Sequence, residues 1–226
     1  MTIPVGQSAA NFEVTGVDDS DLDGTHSVLI TASATGFANS SDAVSVTDDE
    51  VPERLPFAEQ FDFGTFSSPL ESGHTRVTGS TLYNASRGHG WTTPANELDR
   101  GAGSNTTRDL HYRAVGTFNI DVPNGTYGVM LTVGDEGPYA HDQVVDLEGA
   151  SVDVIATAAR EVLTRMYAVD VQDGQLNVRL DGRGGVDPNM VISGIKVVEI
   201  PVDAGAAESI SHATLDSLFT ALGNAH

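Results

Sequence analysis

Cysteine is absent from this 226-residue chain, and lysine and tryptophan occur once each, at Lys196 and Trp91. Without cysteine there is no disulfide framework, no thiol nucleophile and no thiolate metal ligand. No apolar run approaches the roughly 18 residues that cross a bilayer as a helix, so membrane insertion is not expected. Basic residues are scarce: 11 Lys and Arg stand against 32 Asp and Glu, for a net charge of −21. Nucleic acid and anionic membrane surfaces are held by clustered cations, and this balance excludes both as partners. Catalytic signatures are missing too. The chain has no Gly-x-Ser-x-Gly elbow, no Gly-Asp-Ser opening and no His-Glu-x-x-His zinc motif, so a non-catalytic role is expected. What is present suffices for a core, since 39% of the residues are hydrophobic.

Those hydrophobic residues alternate with polar ones at a period of two almost throughout, which predicts an all-β protein. Asn11-Phe12-Glu13-Val14-Thr15-Gly16-Val17 alternates, and Val44-Ser45-Val46-Thr47 does so before the acidic stop Asp48-Asp49-Glu50. Two prolines within Val51 to Pro56 mark a linker. Beyond it, Phe118 to Val122 and Tyr127 to Val133 flank Pro123-Asn124-Gly125-Thr126, a pattern that predicts a hairpin. A second hairpin is predicted between Leu163–Val171 and Leu176–Leu180, with Leu163, Tyr167, Val169 and Val171 facing inward. Strands at this spacing with Gly-rich turns indicate an antiparallel β-sandwich. Residues 213–223 predict a short helix with Leu215, Leu218, Phe219 and Leu222 on one face. The expected organisation is a first segment at 1–51, a linker at 52–59, a sandwich at 60–201 and an acidic linker with a helix at 202–226.

The first segment contains Asp19-Ser20-Asp21-Leu22-Asp23-Gly24, which begins like an EF-hand loop. The twelfth position, where a bidentate Glu belongs, is Ile30, and the EF-hand reading fails there. The Pro4-x-Gly6-Gln7 opening, Phe12-x-Val14, the run Val17 to Gly24, Val28-x-Ile30-x-Ala32 and the closing acidic triplet resemble the second half of a Calx-β repeat. That resemblance implies a partial immunoglobulin-like sandwich cut in mid-domain. It also implies Ca²⁺ held by Asp18, Asp19, Asp23, Asp48 and Asp49. Strand edges left unpaired by half a sandwich would favour self-association, the basis of an alternative structural or adhesive role. Read without the resemblance, the same aspartates are solvated turn residues.

The second segment carries Phe61-Asp62-Phe63-Gly64, Tyr83-Asn84-Ala85-Ser86-Arg87-Gly88-His89-Gly90-Trp91 and Arg108-Asp109. These resemble the non-catalytic domain at the front of rhamnogalacturonan acetylesterases. Val122 to Val129 and Ile192-Ser193-Gly194-Ile195-Lys196-Val197 are similar to malectin and related galactose-binding-like jelly rolls. The resemblance implies a secreted bacterial protein, outside the cell or on its surface, that binds polysaccharide containing galactose, rhamnose or uronate.

Sugar rings stack an apolar face on aromatic side chains and offer hydroxyls to planar polar groups. Trp91, Tyr83, Tyr112 and Tyr139 supply candidate platforms, and Arg87, His89, Arg100, Arg108, Asp109, His141, Asp142, Asp187 and Asn189 candidate polar contacts. Other roles stay open: Trp91 as a core cap, Arg108-Asp109 as an ion pair bracing the loop from Gly101 to Thr107, and His141-Asp142 as a turn contact. Arg87, Arg100, Arg108 and Arg113 lie close in sequence, and an acidic sugar is expected if their side chains converge.

Overall fold

The computed structural model describes residues 2–17, 23–48, 56–183, 187–200 and 212–223. The chain divides into two compact units, Met1–Leu55 and Pro56–His226.

In the first unit, β1 (His26–Ala32) pairs antiparallel with β2 (Ser40–Val46), from His26 opposite Val46 to Ala32 opposite Ser40. No described residue of this unit is buried. Two strands alone cannot cover either face of the ribbon they make.

The second unit contains β3 (Ala58–Phe63), β4 (Thr75–Val77), β5 (His89–Trp91), β6 (Asn96–Asp99) and β7 (Asp109–Arg113). It continues through β8 (Val115–Asp121), β9 (Gly125–Asp135), β10 (His141–Leu147), β11 (Ala150–Thr157) and β12 (Glu161–Val171). β13 (Gln175–Gly182), β14 (Met190–Ile192), β15 (Gly194–Glu199) and helix α1 (His212–Gly223) complete it. The expected linker therefore ends early, because Ala58 and Glu59 already belong to a strand.

Two five-stranded sheets, ordered β11-β10-β13-β8-β5 and β12-β9-β15-β3-β4, form the sandwich, with a three-stranded sheet β14-β7-β6 beside them. Alternation decides what each strand buries. Along β8, Gly116, Phe118 and Ile120 are buried while the residues between them are half-buried. Phe118, Ile120, Leu176, Val178 and Leu180 from one sheet meet Phe61, Phe63, Tyr127, Val129, Leu131 and Ile195 from the other. Each such side chain contributes roughly 1.5–3 kcal/mol by leaving water.

Both expected hairpins turn out to be crossovers between sheets. β8 pairs with β13 and β5, whereas β9 pairs with β12 and β15. The chain at Pro123-Asn124-Gly125 thus passes from one sheet to the other, held by the Tyr127 hydroxyl donating to the Pro123 carbonyl at 2.7 Å. β12 and β13 likewise lie in different sheets. A hairpin does join β10 to β11, through Glu148 and Gly149, both at positive φ (51° and 75°).

Helix α1 lays Leu215 and Phe219 against Val198 and Ile200, with Met130, Met166 and Leu218 around them. Gly128 permits this approach: a Cβ there would stand 2.9 Å from Leu215 Cδ2.

Candidate functional site

Period-two alternation in β7 sorts four positions, the candidates Asp109 and Tyr112 among them, into two environments. Asp109 and His111 point to the interior, whereas Leu110 and Tyr112 point to a cavity of about 390 Å³. Leu98 of β6, Leu110 and Val191 of β14 give this cavity apolar lining. Its polar groups are Arg100, Tyr112, Asp135, Tyr139, His141 and Asp187.

Asp135 ends β9 and is 1% exposed. Its carboxylate accepts two bonds from Arg100, from Nε at 2.8 Å and Nη2 at 2.6 Å, and a third from the Gly137 amide at 2.7 Å. Burial pushes the Asp135 carboxyl up, but the Arg100 bonds and the Gly137 amide offset this and hold it below its ordinary range. Gly137 leaves the space this pairing needs, since a Cβ there would lie 2.4 Å from Arg100 Cζ. The guanidinium also lies over the Tyr139 ring, 5.8 Å from its centroid.

His141 opens β10 and bridges Asp187 through the backbone. The Asn189 carbonyl can only accept, so His141 Nδ1 carries the proton shared with it at 3.3 Å. His141 Nε2 is buried without a hydrogen-bond partner, 3.6 Å from Asp135 Oδ2. Asp187 Oδ1 accepts from the Asn189 backbone amide at 3.0 Å and from Asn189 Nδ2 at 2.6 Å. Asn189 thus positions two of the cavity's polar groups. Tyr139 remains 44% exposed beside them, its ring available for stacking.

Five of the sequence candidates, Arg100, Tyr112, Tyr139, His141 and Asp187, therefore meet in one place, and Asn189 supports them. Others lie elsewhere. Trp91 is 1% exposed and packs edge-on against Phe63 and Phe118, so it is a core residue and not a platform. Its Nε1 donates to His111 Nδ1 at 3.0 Å, while His111 Nε2 donates to the Gly64 carbonyl at 3.1 Å. This commits His111 to one neutral tautomer, and burial pulls it down to about 4. His89 packs on Phe61 and Phe118. Tyr83 donates to Asp121, and Arg87 to the Leu82 carbonyl. Asp109 is 0% exposed and out of reach of any glycan.

The arginines do not converge. Arg108 pairs with Asp99 through Nε and Nη2, both at 3.0 Å, across the base of the loop that follows Arg100. Arg113 donates to the carbonyls of Thr93 and Pro94, and Arg100 to Asp135. The expected acidic-sugar pocket built from these four side chains is thereby removed. Sequence reading missed Asp135, although the Gly134-Asp135-Glu136-Gly137 turn that closes a predicted strand is a usable signal.

Of the expected calcium ligands, Asp18, Asp19 and Asp49 lie outside the described residues. Asp48 accepts from the Gly24 amide, and Asp23 meets His26 at 3.2 Å, placing both at one end of the β1–β2 ribbon. Among the described residues no three His, Asp or Glu side chains gather as a metal ion would require.

Residues 59–198 match the beta-agarase/YXIM esterase-like, galactose-binding domain-like family. The chain belongs to this family. The galactose-binding-like match spans the whole sandwich and the cavity, and leaves out the first unit. YxiM of Bacillus subtilis (strain 168), described as an uncharacterized esterase, is 32% identical over 161 residues, covering 64% of this chain and 37% of that protein. Beta-agarase A of Zobellia galactanivorans is 36% identical over 135 residues, 56% of this chain and 24% of that protein. The chain spans well under half the length of these curated relatives. A crystal structure of the Bacillus subtilis YxiM protein superposes with a TM-score of 0.53 at 28% identity, over 64% of this chain and 40% of that one. A Bacteroides uniformis beta-glucuronidase shares the fold alone, with a TM-score of 0.50 at 14% identity over 79% of this chain and 23% of that one. Among the described residues of this galactose-binding-like chain, no helix is long and apolar enough to cross a membrane.

Proposed function

We propose that residues 56–226 form a non-catalytic carbohydrate-binding module of a secreted polysaccharide-processing or cell-surface protein. Its ligand is a neutral sugar residue of an extracellular polysaccharide, with galactans of the agar type the first to try. The observation that carries this reading is the cavity where exposed Tyr139 stands beside Asp187 and the unpartnered Nε2 of His141. An aromatic face takes the apolar side of a pyranose, and the two polar groups accept its hydroxyl protons. Neutrality follows from charge: the Arg100 guanidinium is spent on Asp135, which leaves Asp187 as the uncompensated charge and makes an acidic sugar unwelcome. The membership of a family named for galactose-binding-like domains supports the same class. Isothermal titration with neutral oligogalactans tests it. Tyr139→Ala is expected to weaken binding about tenfold through lost stacking. Asp187→Asn is expected to lower affinity by a smaller factor. Unchanged affinity in both variants would sink the assignment.

Calcium is proposed for the first unit alone, supported by the placement of Asp23 and Asp48 at one end of its ribbon. Millimolar calcium is then expected to raise the thermal transition of the wild type, through binding to the folded state. The D23N/D48N double variant is expected to show no such rise, and equal shifts would remove calcium from the account.

A further inference from the structure

Lys196, the chain's single lysine, lies on β15 opposite Gln60 of β3 and lines a second cavity, of about 490 Å³. The walls of this cavity come from three places. Gln60 and Lys196 rise from the sheet, Glu71, Ser72 and His74 come from the turn before β4, and Ser104 and Thr106 from the loop closed by Arg108. Gly194 lets that loop lie on the sheet, for a Cβ there would stand 2.9 Å from Thr106 Cγ2.

Two features set this cavity apart from the one around Tyr139. No Tyr, Trp, Phe or aliphatic side chain lines it, so it has no platform for the apolar face of a neutral sugar. Its cation is also unspent. Ion pairs among the described residues engage Arg100, Arg108, Arg165 and Arg179, and none engages Lys196. In a chain with nearly three acidic residues for every basic one, a lysine held in a polar cavity without a carboxylate partner is the group to explain.

We propose that this cavity is a second glycan subsite, which receives a carboxylate or sulfate group on the sugar. Lys196 supplies the point charge, and the hydroxyls of Ser72 and Thr106 bond the anionic oxygens or the neighbouring sugar hydroxyls. Glu71 lines the same cavity and opposes the anion, while His74 is oriented by its Nδ1 contact with the Ser72 carbonyl at 2.9 Å. The subsite does not rest on the neutral-sugar reading of the Tyr139 cavity, because the two share no lining residue.

Titration of the full chain at low ionic strength tests the subsite with three probes: an oligogalacturonate, a sulfated oligogalactan and a neutral oligogalactan of equal length. The wild type is expected to bind at least one acidic probe, and the preferred one identifies the group as carboxylate or sulfate. Lys196→Met should weaken that binding at least tenfold and leave the neutral probe unaffected. Glu71→Gln should tighten it several-fold, an outcome that a purely structural role for these residues does not produce. Tyr139→Ala should leave acidic-probe binding in place, so that failure of either site is seen separately. Absence of acidic-probe binding in the wild type, or equal affinity of Lys196→Met and wild type for it, overturns the proposal.

Discussion

Asp135→Ala is expected to lower the stability of the second unit by about 3 kcal/mol and to abolish neutral-sugar binding. The cost arises from what is left behind. Arg100 is three-quarters enclosed and holds both of its bonds to this one carboxylate, and the Gly137 amide loses its acceptor as well. A guanidinium stranded there keeps only the Tyr139 ring as a partner. Breaking a buried pair costs more than the pair contributes, and the partial exposure of Arg100 places the figure at the low end of the usual range. Urea denaturation followed by tryptophan fluorescence reads it directly, since Trp91 is a single reporter in the core. The double variant Arg100→Met, Asp135→Leu separates stability from function. It should regain most of the loss, because no charge is stranded, yet should not regain binding, because the wall of the cavity has changed. A loss below about 1 kcal/mol in Asp135→Ala would show that water reaches Arg100 freely.

Asp109→Asn carries the opposite sign. Both Asp109 carboxylate oxygens are buried without a hydrogen-bond partner, and burial pushes the group up to about 6. The Ser68 hydroxyl beside it offsets part of this, Asp62, similarly raised to about 6 by burial, and Asp99 add repulsion, and Arg108 relieves a little more. In the unfolded chain such a carboxyl titrates near 3.8. Between these values the folded state holds a proton that the unfolded state has released, so stability falls as pH rises toward 6 and the penalty is complete above it. Roughly two pKa units correspond to about 3 kcal/mol at most, part of it shared with Asp62. His111 works against this trend: its folded value of about 4 lies below the ordinary 6.5, so its contribution is present above 6.5 and lost as pH falls toward 4. The two slopes offset each other in the wild type. Asp109→Asn keeps the shape and removes the charge. It should stabilise the protein by about 2 kcal/mol at pH 8 and match the wild type near pH 3, below the unfolded value. Equal differences at both pH values would attribute the effect to packing instead of ionisation.

The class of fold was legible because the face a residue presents is a local property of a strand. Leu163, Tyr167, Val169 and Val171 alternate in sequence and pack on the core in the structure. Helix α1 was legible in the same way, as an apolar stripe at helical spacing, and Leu215 and Phe219 are its buried members. The motifs around Phe61-Asp62-Phe63-Gly64 and Trp91 pointed to an esterase-associated galactose-binding-like domain, and residues 59–198 match a galactose-binding domain-like family.

Pairing was not legible. A Pro-Asn-Gly turn between two alternating runs fits a hairpin and a sheet-to-sheet crossover equally well at the level of backbone dihedrals. Only burial of both inner faces at once selects the crossover, and that condition involves β13 and β15, dozens of residues away. The same limit governed the site. Alternation in β7 separates Asp109 and His111 from Leu110 and Tyr112, but which pair faces the cavity depends on where the second sheet lies. Trp91 was open as a platform, because sugars stack on aromatic rings, and as a core cap, and it is core because β5 sits over Phe63 and Phe118. The arginines were close in sequence, but carboxylates 9 and 35 residues away hold Arg108 and Arg100, and backbone carbonyls hold Arg87 and Arg113. The residue pattern by itself determined strands, inward faces and the galactose-binding-like class of the second unit. The three-dimensional packing alone decided which carboxylates are spent on arginine and which polar groups remain free for a ligand, because an ion pair is set by distance through space and not along the chain.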